Sequence, residues 1–128
     1  MFYRTLLACA TCLALTAQAQ AQTQDPGTPA AVAAKVALRG EAQGVRVSEM
    51  RITRPNDILI VQADLANGER GDRMVFYRFR WLDSVGNQVG DGESWKQLGV
   101  LGKGMQTVKS VAPSGAATDF RLEMNVEK

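Results

Sequence analysis

The sequence predicts an all-β domain built as a β-sandwich, and three observations carry this prediction. From residue 35 onward, short apolar runs alternate with polar residues at a period of two, the pattern of strands with one buried face. Turn residues interrupt these runs about every 8 to 12 residues, which leaves room for about seven strands. No convincing amphipathic helix is present. Two sheets packed face to face are the predicted arrangement, and a small β-barrel is the alternative.

The N-terminus has the organisation of an export signal. Arg4 precedes an apolar run over residues 6–15, and alanines at alternate positions follow at 17, 19 and 21. The run is too short for a membrane span, which needs about 20 residues. We therefore predict a signal peptide over residues 1–21, rather than a buried helix, with cleavage after Ala19 or Ala21. The predicted location is the periplasm or the medium.

Both cysteines of the chain, Cys9 and Cys12, lie within the predicted signal. The mature chain would then have no disulfide and would depend on its core alone. Acylation at Cys9 would leave a signal of eight residues, and Cys12 follows Thr11, a poor residue at a lipoprotein cleavage site. Membrane anchoring is therefore disfavoured, and an outer-membrane lipoprotein is the alternative localisation.

Residues 22–34 are predicted to be a flexible leader, because they are mainly Gln, Ala, Thr, Pro and Gly and contain no large apolar residue except Val32. An alanine-rich helix from Pro29 to Leu38 is the alternative. The β-sandwich domain is predicted to occupy residues 35–128.

The first strands of this domain are read from their apolar rows. In segment 44–53 the row changes sides, from Val45 and Val47 to Met50 and Ile52, which predicts a bulge near residues 48–49. A turn over 54–57 leads to the next strand, 58–66. The loop 67–72 starts with Asn-Gly, which predicts a hairpin.

The segment 73–83 reads "RMVFYRFRWLD" and separates into two rows. One row holds both arginines. The other row is wholly apolar or aromatic and consists of Val75, Tyr77, Phe79 and Trp81. This division predicts a half-buried strand whose arginines, Arg78 and Arg80, pair with acids on neighbouring strands. An RNA-binding platform would need aromatic rings and cations on one exposed face, so this pattern disfavours one.

The remaining segments continue the β pattern. A tight connection over 83–89 and a loop over 90–94 lead to a short strand or turn over 95–100. A strand over 105–112 ends at Pro113. The last strand, 120–127, has the clearest alternation in the chain, and its apolar row, which we expect to be buried, is Phe120, Leu122, Met124 and Val126.

The composition excludes several chemistries. The chain has no histidine, and the predicted mature chain has no cysteine, which excludes Ser-His-Asp and Cys-His nucleophiles and His- or Cys-ligated metals. Asp64, Asp83, Asp91 and Glu93 are candidates for a carboxylate pair by residue type only. Scattered methionines are better explained by core packing than by copper binding. We therefore predict no enzyme activity and no cofactor.

The charges are nearly balanced. The chain has 15 Lys and Arg against 13 Asp and Glu, and removing the signal, which holds Arg4 and no acid, lowers the net charge from +2 to +1. A nucleic-acid-binding domain usually has a clear basic excess, so no nucleic-acid partner is predicted.

Four segments together resemble the YcfL-like family of small bacterial envelope proteins: "ADLANG" at 63–68, "YRFRWLDSVGNQV" at 77–89, Trp95, and "VAPSGAATDFRL" at 111–122. The resemblance implies a periplasmic, immunoglobulin-like antiparallel sandwich without known activity. Members are often lipoproteins, and some are encoded beside an outer-membrane activator of peptidoglycan synthases. The resemblance implies no catalytic residues.

These observations predict a non-enzymatic binding module with an envelope protein as partner. Binding would use a sheet edge, or a patch near Trp95 and the loop 111–118, and the candidate residues are Asp91, Glu93, Trp95 and Pro113. The alternative is a carbohydrate- or peptidoglycan-fragment-binding module with an exposed aromatic beside acids. Burial of Trp95 is preferred, which favours the protein partner.

Overall fold

A computed structural model describes residues 29–128 as seven strands in two packed sheets. The predicted signal peptide (1–21), Cys9, Cys12 and the first part of the predicted leader lie outside the described residues. The helix and strands are α1 (Ala30–Ala33), β1 (Val36–Arg39), β2 (Val45–Thr53), β3 (Ile60–Asn67), β4 (Arg73–Leu82), β5 (Lys96–Val100), β6 (Met105–Val111) and β7 (Asp119–Glu127).

The strands form one sheet in the order β1-β7-β4-β5 and another in the order β2-β3-β6. The predicted all-β sandwich is confirmed, and the alternative of a small closed barrel is wrong. One pair departs from the antiparallel pattern, because β1 runs parallel to β7 with Val36 opposite Leu122. α1 lies inside the segment predicted as a leader, and Val32 packs against the core.

The core lies between β4 and β7 on one side and β3 on the other. Val75, Phe79 and Trp81 of β4 are buried, as predicted, whereas Tyr77 is only partly buried. Phe79 and Trp81 stack with ring centroids 5.8 Å apart, and Phe120 of β7 packs 6.1 Å from Trp81. Burying each such side chain contributes roughly 1.5–3 kcal/mol, so this aromatic cluster is a main source of stability.

The predicted bulge in β2 is confirmed. Val47 is opposite Leu65 and Glu49 is opposite Asp64, which leaves Ser48 as the extra residue. The bulge moves the side chains of the second half of β2 by one position, and this explains why the apolar row changes sides.

The predicted Asn-Gly hairpin is wrong, because β3 and β4 belong to different sheets. The Asn67 side chain is buried and holds the crossing between the sheets. Its amide donates to the carbonyl oxygens of Gly71 (2.8 Å) and Val100 (3.2 Å), and its oxygen accepts the N–H of Glu69 (2.9 Å). Asn67 therefore ties the β3–β4 connection to the end of β5 through hydrogen bonds between its side chain and the backbone.

Across residues 29–128, no helix has the length and apolar character needed to cross a membrane.

Candidate functional site

The connection between β4 and β5, residues 83–95, carries three of the four predicted site residues. It first folds back along β4, where Leu82 bridges Gln88 and the N–H of Val89 donates to the carbonyl oxygen of Trp81 (2.9 Å). Gly90 has φ +78°, and a Cβ there would lie 3.1 Å from Cγ of Pro113. This close approach places Asp91 and Glu93 beside the loop that follows β6.

The Glu93 carboxylate is held by donors from both sheets. Its Oε1 accepts the backbone N–H of Phe79 (3.0 Å), and its Oε2 accepts the indole N–H of Trp81 (3.1 Å). The Ser110 hydroxyl, on β6 of the opposite sheet, also donates to Oε2. Glu93 therefore closes the part of the β4 edge that β5 does not reach, and its carboxylate is engaged inside the protein.

Three of the predicted site residues come together and the fourth does not. Asp91, Glu93 and Pro113 line a cleft of about 150 Å³, whose walls also include Trp81, Val89 and Val111. Trp95 lies apart from this cleft, on the outer face of the four-stranded sheet.

The preference for a buried Trp95 is wrong, since 39% of the residue is exposed. It immediately precedes β5, and its ring packs against two guanidinium groups, with Cζ of Arg78 4.5 Å and Cζ of Arg39 5.3 Å from the ring centroid. Phe79 and Trp81 already fill the core beneath this part of the sheet. Trp95 is stabilised on the outside by cation–π contacts instead.

Glu123 of β7 anchors this arrangement and was missed in the sequence. It is 6% exposed, and its Oε2 accepts hydrogen bonds from Arg39 Nη2 (3.1 Å) and Arg78 Nε (3.1 Å). The available signal was the charge complementarity of β4 and β7, since Arg78 is directly opposite Glu123. Two guanidinium groups share one carboxylate, so this group of residues has a net positive charge.

We call Arg39, Arg78, Trp95 and Glu123 the Trp95 cluster. Beside it lies a cleft of about 350 Å³ lined by Arg39, Phe76, Trp95, Asn125 and Glu127. A second cleft of about 320 Å³ shares Arg39 and includes Arg80 and Asp91. The outer face of this sheet therefore combines exposed aromatic surface with guanidinium, amide and carboxylate groups.

The predicted pairing of the two β4 arginines is half correct. Arg78 binds Glu123, but Arg80 has no ion pair with any residue between 29 and 128. Its cross-strand neighbour is Arg121, which pairs with Asp119 (3.0 Å). Like charges directly opposite each other on a sheet are unfavourable, so the Arg80–Arg121 pair does not stabilise the sheet.

The other sheet carries a polar network with a structural role. Arg51 binds both carboxylate oxygens of Asp64 (3.0 and 3.1 Å), and Thr107 donates to the same group (2.7 Å). The hydrogen bonds from Arg51 and then Thr107 lower the pKa of Asp64 below its ordinary value, although burial opposes them. Within the described part of the chain, no three acidic, His or Cys side chains gather in a way that would hold a metal ion.

The fold and this surface define a small two-sheet β-sandwich with an exposed aromatic–arginine patch on one sheet. The chain belongs to the DUF1425 family, described as "Protein of unknown function (DUF1425)", whose family model matches residues 27–126.

The solved structures that resemble this chain include the following two. The crystal structure of Campylobacter jejuni cj0090 has a TM-score of 0.60 at 22% identity and covers 73% of this chain and 98% of its own. A DUF1425 family member from Shewanella sp. PV-4 has a TM-score of 0.55 at 28% identity, covering 66% of this chain and 77% of its own. The first likeness shows the fold alone. No curated protein matches the chain.

Proposed function

We propose that this protein is a non-enzymatic binding module of the bacterial periplasm that acts through a protein partner in the envelope. The signal-like N-terminus and the YcfL-like resemblance of residues 63–122 support export and location. The absence of histidine from the sequence supports a role in binding rather than in catalysis.

The exposed Trp95 held by two arginines carries this proposal. Trp and Arg are the residues that most often dominate the energy of protein interfaces, particularly where they cluster and are already ordered. Here Arg78 is fixed between Glu123 and the Trp95 ring, so binding would cost little side-chain entropy.

The charges of the Trp95 cluster indicate the chemistry of the partner. Arg39 is 61% exposed in its side chain, and the neighbouring Arg80 has no acidic partner among residues 29–128. A partner surface that supplies carboxylates around an apolar contact for Trp95 would complement both features.

A second candidate, glycan binding, is favoured by the 350 Å³ cleft beside Trp95. Its two aromatic side chains, Phe76 and Trp95, accompany an amide and a carboxylate, Asn125 and Glu127. Its volume lies within the usual range for small-ligand pockets, about 300–1,000 Å³. The acid beside Trp95 is thus Glu127, rather than the predicted Asp91 and Glu93.

The experiment compares Trp95→Ala with Leu101→Ala, an exposed apolar residue outside this face. Tagged variants are crosslinked in cells, captured from the envelope and quantified by mass spectrometry, and purified proteins are sedimented with peptidoglycan. We expect one or more envelope proteins to be lost from Trp95→Ala and retained by Leu101→Ala, with no sedimentation.

Equal capture by both variants would contradict the role of Trp95 in protein binding. Sedimentation with peptidoglycan that is lost in both Trp95→Ala and Asn125→Ala would establish the glycan function instead.

A further inference from the structure

The outer edge of β6 presents unpaired backbone groups. Within residues 29–128, β6 pairs only with β3. The N–H of Ala112 donates to Leu59 (2.8 Å) and the N–H of Asn67 donates to Gly104 (2.9 Å), both in the β3–β6 register. Hydrogen-bonded and non-hydrogen-bonded residue pairs alternate along an antiparallel pair of strands, so the backbone N–H and C=O groups of the even-numbered residues of β6 point toward β3. The backbone groups that point the other way belong to Met105, Thr107, Lys109 and Val111.

This edge has little protection against another strand. Sheet edges are commonly guarded by charges, prolines, bulges or a covering segment. Lys109 is the one charged side chain within β6, and the ends of the strand carry apolar residues, Met105 at 60% and Val111 at 51% exposure. Unpaired N–H and C=O groups in a row are the chemistry that recognises an extended polypeptide backbone.

The 150 Å³ cleft lies at the Val111 end of this edge. Its volume is below the usual range of small-molecule pockets, which begins at about 300 Å³, and suits one side chain. The walls are the apolar groups of Trp81, Val89 and Pro113, and the charged residues are acids only, Asp91 and Glu93.

The two acids differ in availability. Glu93 already accepts three protein hydrogen bonds. Asp91 is exposed and accepts no hydrogen bond or ion pair from residues 29–128. An apolar channel with a free carboxylate at its rim fits a long aliphatic side chain that ends in a cation.

We propose that the outer edge of β6 is a strand-addition site for an extended segment of another protein that carries a lysine or arginine. The segment's backbone pairs with Thr107, Lys109 and Val111. Its basic side chain enters the cleft, packs its stem against Val89 and Pro113, and reaches Asp91 with its charge. This surface goes beyond the proposed function, because its backbone groups belong to β6 of the other sheet and no residue of the Trp95 cluster lines its cleft.

The test uses a capped peptide of alternating threonine and valine with a central lysine, and matched peptides with norleucine or glutamate in that position. Amide hydrogen exchange is followed by NMR with and without each peptide. The lysine peptide should slow exchange at Thr107, Lys109 and Val111, while the amides at 106, 108 and 110 are protected throughout.

Lys109→Pro removes an outward N–H that the peptide needs, so it should abolish this protection. The variant should still fold, because proline is tolerated where the N–H of an edge strand faces solvent. Gln97→Pro is the matched control on the β5 edge and should bind the peptide normally. Asp91→Asn should weaken the lysine peptide by roughly twofold to fivefold, as expected for an exposed ion pair, and leave the norleucine peptide unchanged.

Three results would overturn strand addition by another protein at this edge. The first is unchanged exchange at Thr107, Lys109 and Val111 with saturating peptide, and the second is equal binding by Lys109→Pro and the wild type. The third is protection of these amides in the free protein that rises with its concentration, which would assign the edge to a second copy of the chain. Equal affinity for the lysine and glutamate peptides would refute the assignment of a basic side chain.

Discussion

Removing the Glu93 carboxylate should cause a large loss of stability. In Glu93→Ala, the backbone N–H of Phe79 and the indole N–H of Trp81 lose the acceptors that lie 3.0 and 3.1 Å away. An unsatisfied buried donor costs about 1–3 kcal/mol. The Glu93 side chain is 18% exposed, so water can partly replace it. We therefore expect Glu93→Ala to lower the free energy of unfolding by about 2–4 kcal/mol in total.

Such a loss is readily measured, because a domain of this size is stable by about 5–15 kcal/mol. Urea unfolding followed by circular dichroism should show a lower midpoint, and the melting temperature should fall by about 10–30 °C. Glu93→Gln keeps one acceptor oxygen and should cost less, about 1–2 kcal/mol.

Asp91→Ala is the matched control, since Asp91 lies in the same connection but is exposed, and it should change stability by no more than about 0.5 kcal/mol. If Glu93→Ala unfolds at the wild-type urea midpoint with the same slope, Glu93 does not hold the two sheets together.

Three further predictions concern the charged and aromatic groups. Arg78→Ala should lower the free energy of unfolding in urea by about 1–2 kcal/mol, because it leaves the buried Glu123 carboxylate with one fewer partner. Arg80→Ala should lower it by less than about 0.5 kcal/mol, and equal effects of the two variants would contradict the assigned pairing. Burial alone would raise the pKa of Asp119, but hydrogen bonds from a lysine, a backbone N–H and an arginine lower it to about 2. Its stabilising effect should therefore be complete above about pH 4 and lost as the pH falls toward 2, and Asp119→Asn should flatten this part of the urea-midpoint profile. The variants Trp81→Phe and Trp95→Phe each keep one tryptophan. Acrylamide should quench the fluorescence of the exposed Trp95, in Trp81→Phe, much more than that of the buried Trp81, in Trp95→Phe. The reverse order would refute the described exposures.

Local alternation was enough to predict the faces of β4 and β7. In both strands successive side chains point to opposite sides, so Phe79 and Leu122 could be assigned to the core without knowing their partners. The β2 bulge was predictable for the same reason, because an extra residue at Ser48 shifts the apolar row.

The errors arose where a side chain acts on a distant segment. Asn67 looked like the start of a hairpin, but its amide binds carbonyl groups more than 30 residues away at Val100. The roles of Glu93 and Trp95 likewise depend on which strands become neighbours: Glu93 reaches a hydroxyl on the opposite sheet, and Trp95 packs on an arginine from β1. Residue type and spacing contain no record of these partners.

The position of β7 has a consequence for how the chain acquires its structure during synthesis. β7 follows every other strand in the sequence, yet it lies between β1 and β4. A ribosome releases β1 and β4 long before the strand that joins them, so the four-stranded sheet cannot assemble from a partial chain. Pairings between such distant segments fold slowly, and the exposed edges of β1 and β4 would meanwhile favour aggregation. A chain stopped at residue 118 would retain six strands but leave β1 without a neighbour, and we expect such a product to be degraded rather than folded.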